Sequence, residues 1–195
     1  MPDTYQGQPF YVRAVDGDNE IAALFMPVNN ADRNGAVASY RLDRLLGLDM
    51  VPVTVAREVE GVAGALQFWP QNSINEQERS ADQQGAGAWC PLSVQFRDMY
   101  LFDGLIHNEA RTPERIRYST DNFGLLLVAN DQTFANSRER PAWLGNVPVE
   151  LTPAWRGALA ALNEQELTSV LGDVLDRRGI RALLARRDHL LEISR

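Results

Sequence analysis

A chain of 195 residues with a net charge of −7 is long enough to bury a sizeable core without covalent staples, and its acidity disfavours general binding to nucleic acid or to an anionic membrane. All nineteen basic side chains are arginine, which excludes Schiff-base chemistry and any lysine clamp on a phosphate. One cysteine, Cys90, and two separated histidines, His107 and His189, exclude an internal disulfide and a cysteine zinc site and leave little for a histidine metal site. No stretch approaches the roughly 20 apolar residues that span a bilayer, and the N-terminus has neither a basic nor an apolar leader region, so a soluble, cytoplasmic protein is expected.

In chain order, residues 10–28 predict two short strands around a turn at Asp16-Gly17-Asp18-Asn19, the second ended by Pro27. After a loop at 29–35, Val37, Tyr40, Leu42, Leu45 and Leu46 fall near helical spacing, with Gly47 as C-cap. Met50–Glu58 and Ala63–Trp69 read as a hairpin turning at Glu60-Gly61. Residues 70–88 are polar, Gln-rich and aperiodic, which predicts a flexible connector. Leu92–Ile106 is apolar around so much of its circumference that it predicts a central helix. Gly124–Val128 reads as a buried strand and Asn136–Pro148 as loop. Helices follow at Pro153–Leu162, Glu164–Leu171 and Val174–Ile193, with Thr152 capping the first ahead of Pro153, and Asn163 capping the second with Glu166 at N3. The four tryptophans, Trp69, Trp89, Trp143 and Trp155, border turns and loops and read as packing anchors. The last helix alternates arginine with leucine, as expected of a core-facing helix with a charged outer face that could also dock an acidic partner.

The chemistry concentrates where the central helix and the buried strand end. There Asn108, Glu109, Arg111, Asn130 and Asp131 form two polar clusters, each closing an apolar element. Read from residue types alone, Asn108 caps the helix end and Arg111 pairs with Glu109, Glu114 or Asp131.

The blocks Ala38-Ser39-Tyr40-Arg41-Leu42-Asp43-Arg44-Leu45-Leu46-Gly47-Leu48, Val51-Pro52-Val53-Thr54-Val55 and Gly64-Ala65-Leu66-Gln67 resemble the atypical kinases: the phosphatidylinositol 3-/4-kinase, HipA and Fam20-like group. The resemblance runs over residues 10–135. It implies an α+β, two-lobed, protein-kinase-like domain with a small strand-rich N-lobe (1–70, one helix), a connector (71–91) and a mainly helical C-lobe (92–195) holding a short buried strand pair. The family's catalytic loop, N-x-D-R-x-x-x-N-I, aligns with residues 108–116. Asn108, Arg111 and Ile116 match, whereas Ala110 takes the place of the aspartate that handles the acceptor hydroxyl and Arg115 that of the metal-binding asparagine. Met26 stands at the phosphate lysine, Ala36 at its glutamate partner and Ala129 at the metal aspartate, with Asp131 displaced by two residues. The acidic turn at Asp16-Gly17-Asp18 is a poor phosphate loop.

These substitutions imply a pseudokinase-type binding or regulatory module lacking canonical Mg-ATP phosphotransfer, with an anion or nucleotide site lined by Asn108, Arg111, Arg115 and Asp131. ATP is one cofactor candidate, Mg²⁺ and Mn²⁺ are disfavoured, and a protein partner is compatible with this reading. An alternative is an active phosphotransferase of unusual chemistry, with Asp131 binding metal beside Asn108 and Glu109 or His107 as base. A third is a purely structural or interaction domain.

Overall fold

The computed structural model describes residues 7–28, 33–85, 92–145 and 147–194. Cys90, Trp89, the end of the connector, and parts of the 29–35 loop and of the N-terminus therefore lie outside the described residues.

The first lobe is a four-stranded antiparallel sheet with one helix. Strands β1 (Phe10–Asp16) and β2 (Asn19–Pro27) pair around the Gly17-Asp18 turn, and β3 (Thr54–Val59) and β4 (Val62–Phe68) pair around Glu60-Gly61. Both Glu60 and Gly61 have positive φ, 51° and 80°, the backbone of a hairpin turn that matches strand twist. The spatial order is β1-β2-β4-β3. Gly64 is required by the close approach of β2, because a Cβ there would stand 2.6 Å from the Met26 carbonyl oxygen.

Between the hairpins runs α1 (Gly35–Leu46). The Asn34 side chain accepts from the Val37 amide at its start, and Gly47 closes it in the left-handed region at φ 67°. Its inner face buries Ala36, Val37, Ala38 and Leu42 together with Leu24, Met26 and Ala65 of the sheet. Burial of such side chains contributes about 1.5–3 kcal/mol for each large one.

The second lobe centres on α3 (Leu92–Ile106), whose C-terminal half from Met99 to Ile106 is nearly all buried. Around it lie β6 (Ile116–Ser119) and β7 (Leu125–Leu127), then α4 (Pro153–Ala161), α5 (Glu164–Leu171) and α6 (Arg177–Ile193). Thr152 and Asn163 cap α4 and α5 as their sequence positions predict. Trp155 is buried, and its indole N–H donates to Asp98 at 2.8 Å. The molecule is thus α+β, with an antiparallel-sheet N-terminal lobe and a helical C-terminal lobe in a kinase-like arrangement.

Two segments differ from expectation. Residues 73–81, read as flexible connector, form β5 (Ser73–Asn75), which pairs with β6, and α2 (Glu76–Ala81). A reciprocal cap between Asn75 and Glu78 starts this helix, and Glu76 fixes it by accepting from Arg79 and from the Tyr118 hydroxyl. A six-residue helix is too short to display a period, so polar composition hid it. The last helix begins at Arg177 rather than Val174, because Val174 and Leu175 donate to the Leu171 carbonyl and Asp176 caps Gly179. No helix among the described residues is long and apolar enough to cross a membrane.

Candidate functional site

The end of α3 sets the site. His107 takes positive φ, 51°, and the Asn108 amide reaches back to the Asp103 carbonyl at 3.0 Å, a left-handed helix closure made without glycine. Ala129 after β7 and Phe134 beyond it also have positive φ, 56° and 57°. Three non-glycine residues in a region costing about 1–2 kcal/mol each thus flank one polar cluster.

At the centre is Asp103, fully buried on α3. Arg111 grips it with a fork, Nε and Nη2 each 2.8 Å from a carboxylate oxygen, and the Asn108 amide nitrogen donates to the same carboxylate at 3.0 Å. Arg111 Nη2 also donates to Asn130 Oδ1 at 2.8 Å, and Nη1 to the Arg115 carbonyl at 3.0 Å. The Arg111 side chain is 1% exposed, so its charge is spent inside the protein. Asn108 and Asn130 are likewise buried.

Arg115 and Asp131 stand nearer the surface. Arg115 Nη1 donates to the Ala129 carbonyl at 2.9 Å and to Asp131 Oδ1 at 3.1 Å, both side chains being about one-fifth exposed. His107 presents Nδ1 to the Glu139 carbonyl at 2.9 Å and Nε2 to the Glu109 carboxylate at 3.0 Å. Glu109 is the more exposed of that pair.

A pocket of about 390 Å³ opens where the lobes meet, lined by Met26, Pro27, Arg33, Asn34, Gly35, Ala36, Asp131 and Gln132, with Gly7–Pro9 at its rim. Met26 and Ala36 are each 1% exposed and bring no charge to it. Of the residues read as a site, Asp131 lines this pocket, Arg115 reaches it through Asp131, and Asn108 and Arg111 lie behind it. His107 meets the Glu139 carbonyl and pairs with Glu109, whose amide donates to the Gln132 carbonyl at 3.4 Å. The acidic turn at 16–19 sits at the opposite end of β2 from Met26 and Pro27.

Two organising residues escaped the sequence reading, though signals were present. Asp103 is the charge in the buried half of α3, and Arg186 falls in the leucine stripe of α6 between Leu183 and Leu190. Arg186 is 1% exposed and donates to the Leu105, Ala135 and Ser137 carbonyls.

No protein-family model and no curated protein matches the sequence. Among solved structures the fold is similar to that of a kinase: 94% of this chain aligns with 90% of the comparison chain at a TM-score of 0.56. That structure is the proinflammatory kinase CtkA of Helicobacter pylori, with 9% sequence identity, a level at which the likeness shows the fold alone.

Proposed function

We propose that this chain is a kinase-like binding or regulatory module, degenerate in the atypical-kinase pattern, whose inter-lobe pocket takes a phosphate-bearing anion without a metal. The observation that carries this reading is the Arg115–Asp131 ion pair at 3.1 Å. Phosphoryl transfer asks the protein for positioned carboxylates to hold Mg²⁺ and for cations to hold phosphates. At the positions where the resemblance would put the metal aspartate and the phosphate lysine stand Ala129 and Met26, a methyl group and a thioether, and Asp131, the one carboxylate lining the pocket among the described residues, is already engaged by a guanidinium. That donor set does not fit Mg²⁺, since an ion at Asp131 would meet the positive charge of Arg115. An anion, by contrast, can compete with Asp131 for Arg115, and a guanidinium fork suits phosphate oxygens.

Thermal shift with pyrophosphate and with ATP, each with EDTA or Mn²⁺, tests this. Stabilisation indifferent to the metal is expected. Asp131→Asn frees Arg115 and should strengthen anion binding by roughly 1 kcal/mol, about fivefold. Metal-dependent stabilisation abolished by Asp131→Asn would instead establish the active reading with Asp131 as ligand. A melting curve that no phosphate compound moves would leave an interaction domain without a pocket ligand.

A further inference from the structure

A buried guanidinium is ordinarily matched by a carboxylate, because neutral acceptors alone do not repay the loss of its hydration. Arg186 breaks that pattern. It is 1% exposed, its bonds go to the Leu105, Ala135 and Ser137 carbonyls, and no carboxylate among the described residues pairs with it. Its Nη2 is buried without any hydrogen-bond partner among those residues. Burial alone draws the group down to about 10, with no opposite charge to hold it up.

The segment that Arg186 holds gathers further positive charge. Arg33, from the loop before α1, donates from Nη2 to Asn136 Oδ1 at 3.0 Å, while its Nε is buried and unpartnered. Arg140 is in the same condition. Its Nη2 donates to the Val147 carbonyl at 3.2 Å, its Nε is buried and unpartnered, and burial holds it below the usual arginine value. Arg138 stands exposed two positions before it. Against these arginines are set Asp176, 3.7 Å from Arg33, and the exposed Glu139. A chain with a net charge of −7 thus collects cations around one short segment and leaves three of their nitrogens without an acceptor.

Ser137 is in the middle of that segment and partly exposed. Its carbonyl accepts from Arg186 Nη1, and its hydroxyl accepts from the Glu139 amide at 3.1 Å. The hydroxyl therefore belongs to the residue that the orphaned guanidinium already touches. A phosphoryl group adds nearly two negative charges and three strong acceptor oxygens, the two things missing here.

We propose that Ser137 is a phosphorylation site, and that the phosphoryl group on its Oγ is the counter-ion of Arg186 and Arg33. The donor is a nucleoside triphosphate bound to a separate kinase. The serine Oγ–P bond forms, the P–O bond to the departing nucleoside diphosphate breaks, and the hydroxyl proton passes to a base of the modifying enzyme. The product ties the 135–140 segment to α6 through Arg186 and to the first lobe through Arg33. It is independent of what the inter-lobe pocket takes.

The test uses the full chain with phosphoserine introduced at position 137 during translation, compared with the unmodified chain by denaturant unfolding. The modified chain should show a folding equilibrium constant about tenfold higher and slower amide exchange over 135–140. Arg186→Gln should abolish most of that gain. Should Arg186→Gln not fold, Arg33→Gln decides, and there the gain should fall to about threefold. A modification that leaves the constant unchanged or lowers it would overturn the proposal. So would a gain that survives in full in these variants, because the phosphoryl group would then lie elsewhere. Inorganic phosphate stabilising a Ser137→Ala, Arg115→Gln double variant by the same tenfold would also overturn it, since a free anion would fill the place assigned to the modified serine.

Discussion

Asp103 shows how a single side chain can organise a loop. Its carboxylate receives two bonds from Arg111 and one from Asn108, and the same arginine reaches Asn130 and the Arg115 carbonyl. Removing one partner of a buried pair leaves the other charge unpaired, a loss of about 3–5 kcal/mol. Asp103→Ala should therefore lower the free energy of urea unfolding by that amount, whereas Glu109→Ala, at an exposed position, should change it by less than about 0.5 kcal/mol. The residue types at 108 and 111 could be read as a site from sequence because they match a motif. That Arg111 would turn inward could not, since its partner lies eight residues back in a segment whose apolar character dominates. Asp103 was nevertheless the clue, as a carboxylate seldom sits unpaired in such a helix.

At the scale of elements, the sequence was most legible where a period and a cap agree. The spacing predicts a helix from 36 to 46 closed by Gly47 and another over Leu92–Ile106, and α1 and α3 match these to within a residue. Helix α2 had only its Asn75/Glu78 cap to announce it. That cap makes it fragile: Asn75→Ala should cost about 1 kcal/mol locally, seen as faster amide exchange across 76–81. Its docking also depends on pH. Arg79 holds the Glu76 carboxyl below its ordinary value, aided by the Tyr118 hydroxyl, while burial opposes them. A lowered folded value means that the folded state favours the ionised form. The stabilisation is thus complete above the unfolded value near 4.5 and drains away as pH falls through the folded one. Acid titration should release α2 from β6, and Glu76→Gln should flatten that part of the stability curve.

Across the whole molecule, Arg186 joins the last helix to the centre. Burial draws its guanidinium down to about 10, and its bonds go to carbonyls of α3 and of the 135–137 segment. Arg186→Lys keeps a positive charge but loses the fork, and should cost about 2–4 kcal/mol, measured by denaturant unfolding, with earlier proteolysis near Ser137. The kinase-like outline was legible only as the resemblance carried by three short blocks of the first lobe, while strand alternation and helix period gave the single elements. The contacts around Trp69 were not, since it meets Tyr11 and Arg117, residues far apart in sequence whose meeting no local pattern encodes.

The Asp103 network also dictates an order of assembly. Its members all lie between residues 103 and 130, whereas the bonds that join the lobes or bring in the last helix span far more chain: 62 positions from Gln67 to Ala129, and 81 from Leu105 to Arg186. Short loops close at lower entropic cost. The central helix, its loop and the β6–β7 pair therefore form a nucleus that can consolidate before the first lobe docks or α6 arrives. Substitutions at Asp103 should slow folding, while those at Arg186 should chiefly speed unfolding.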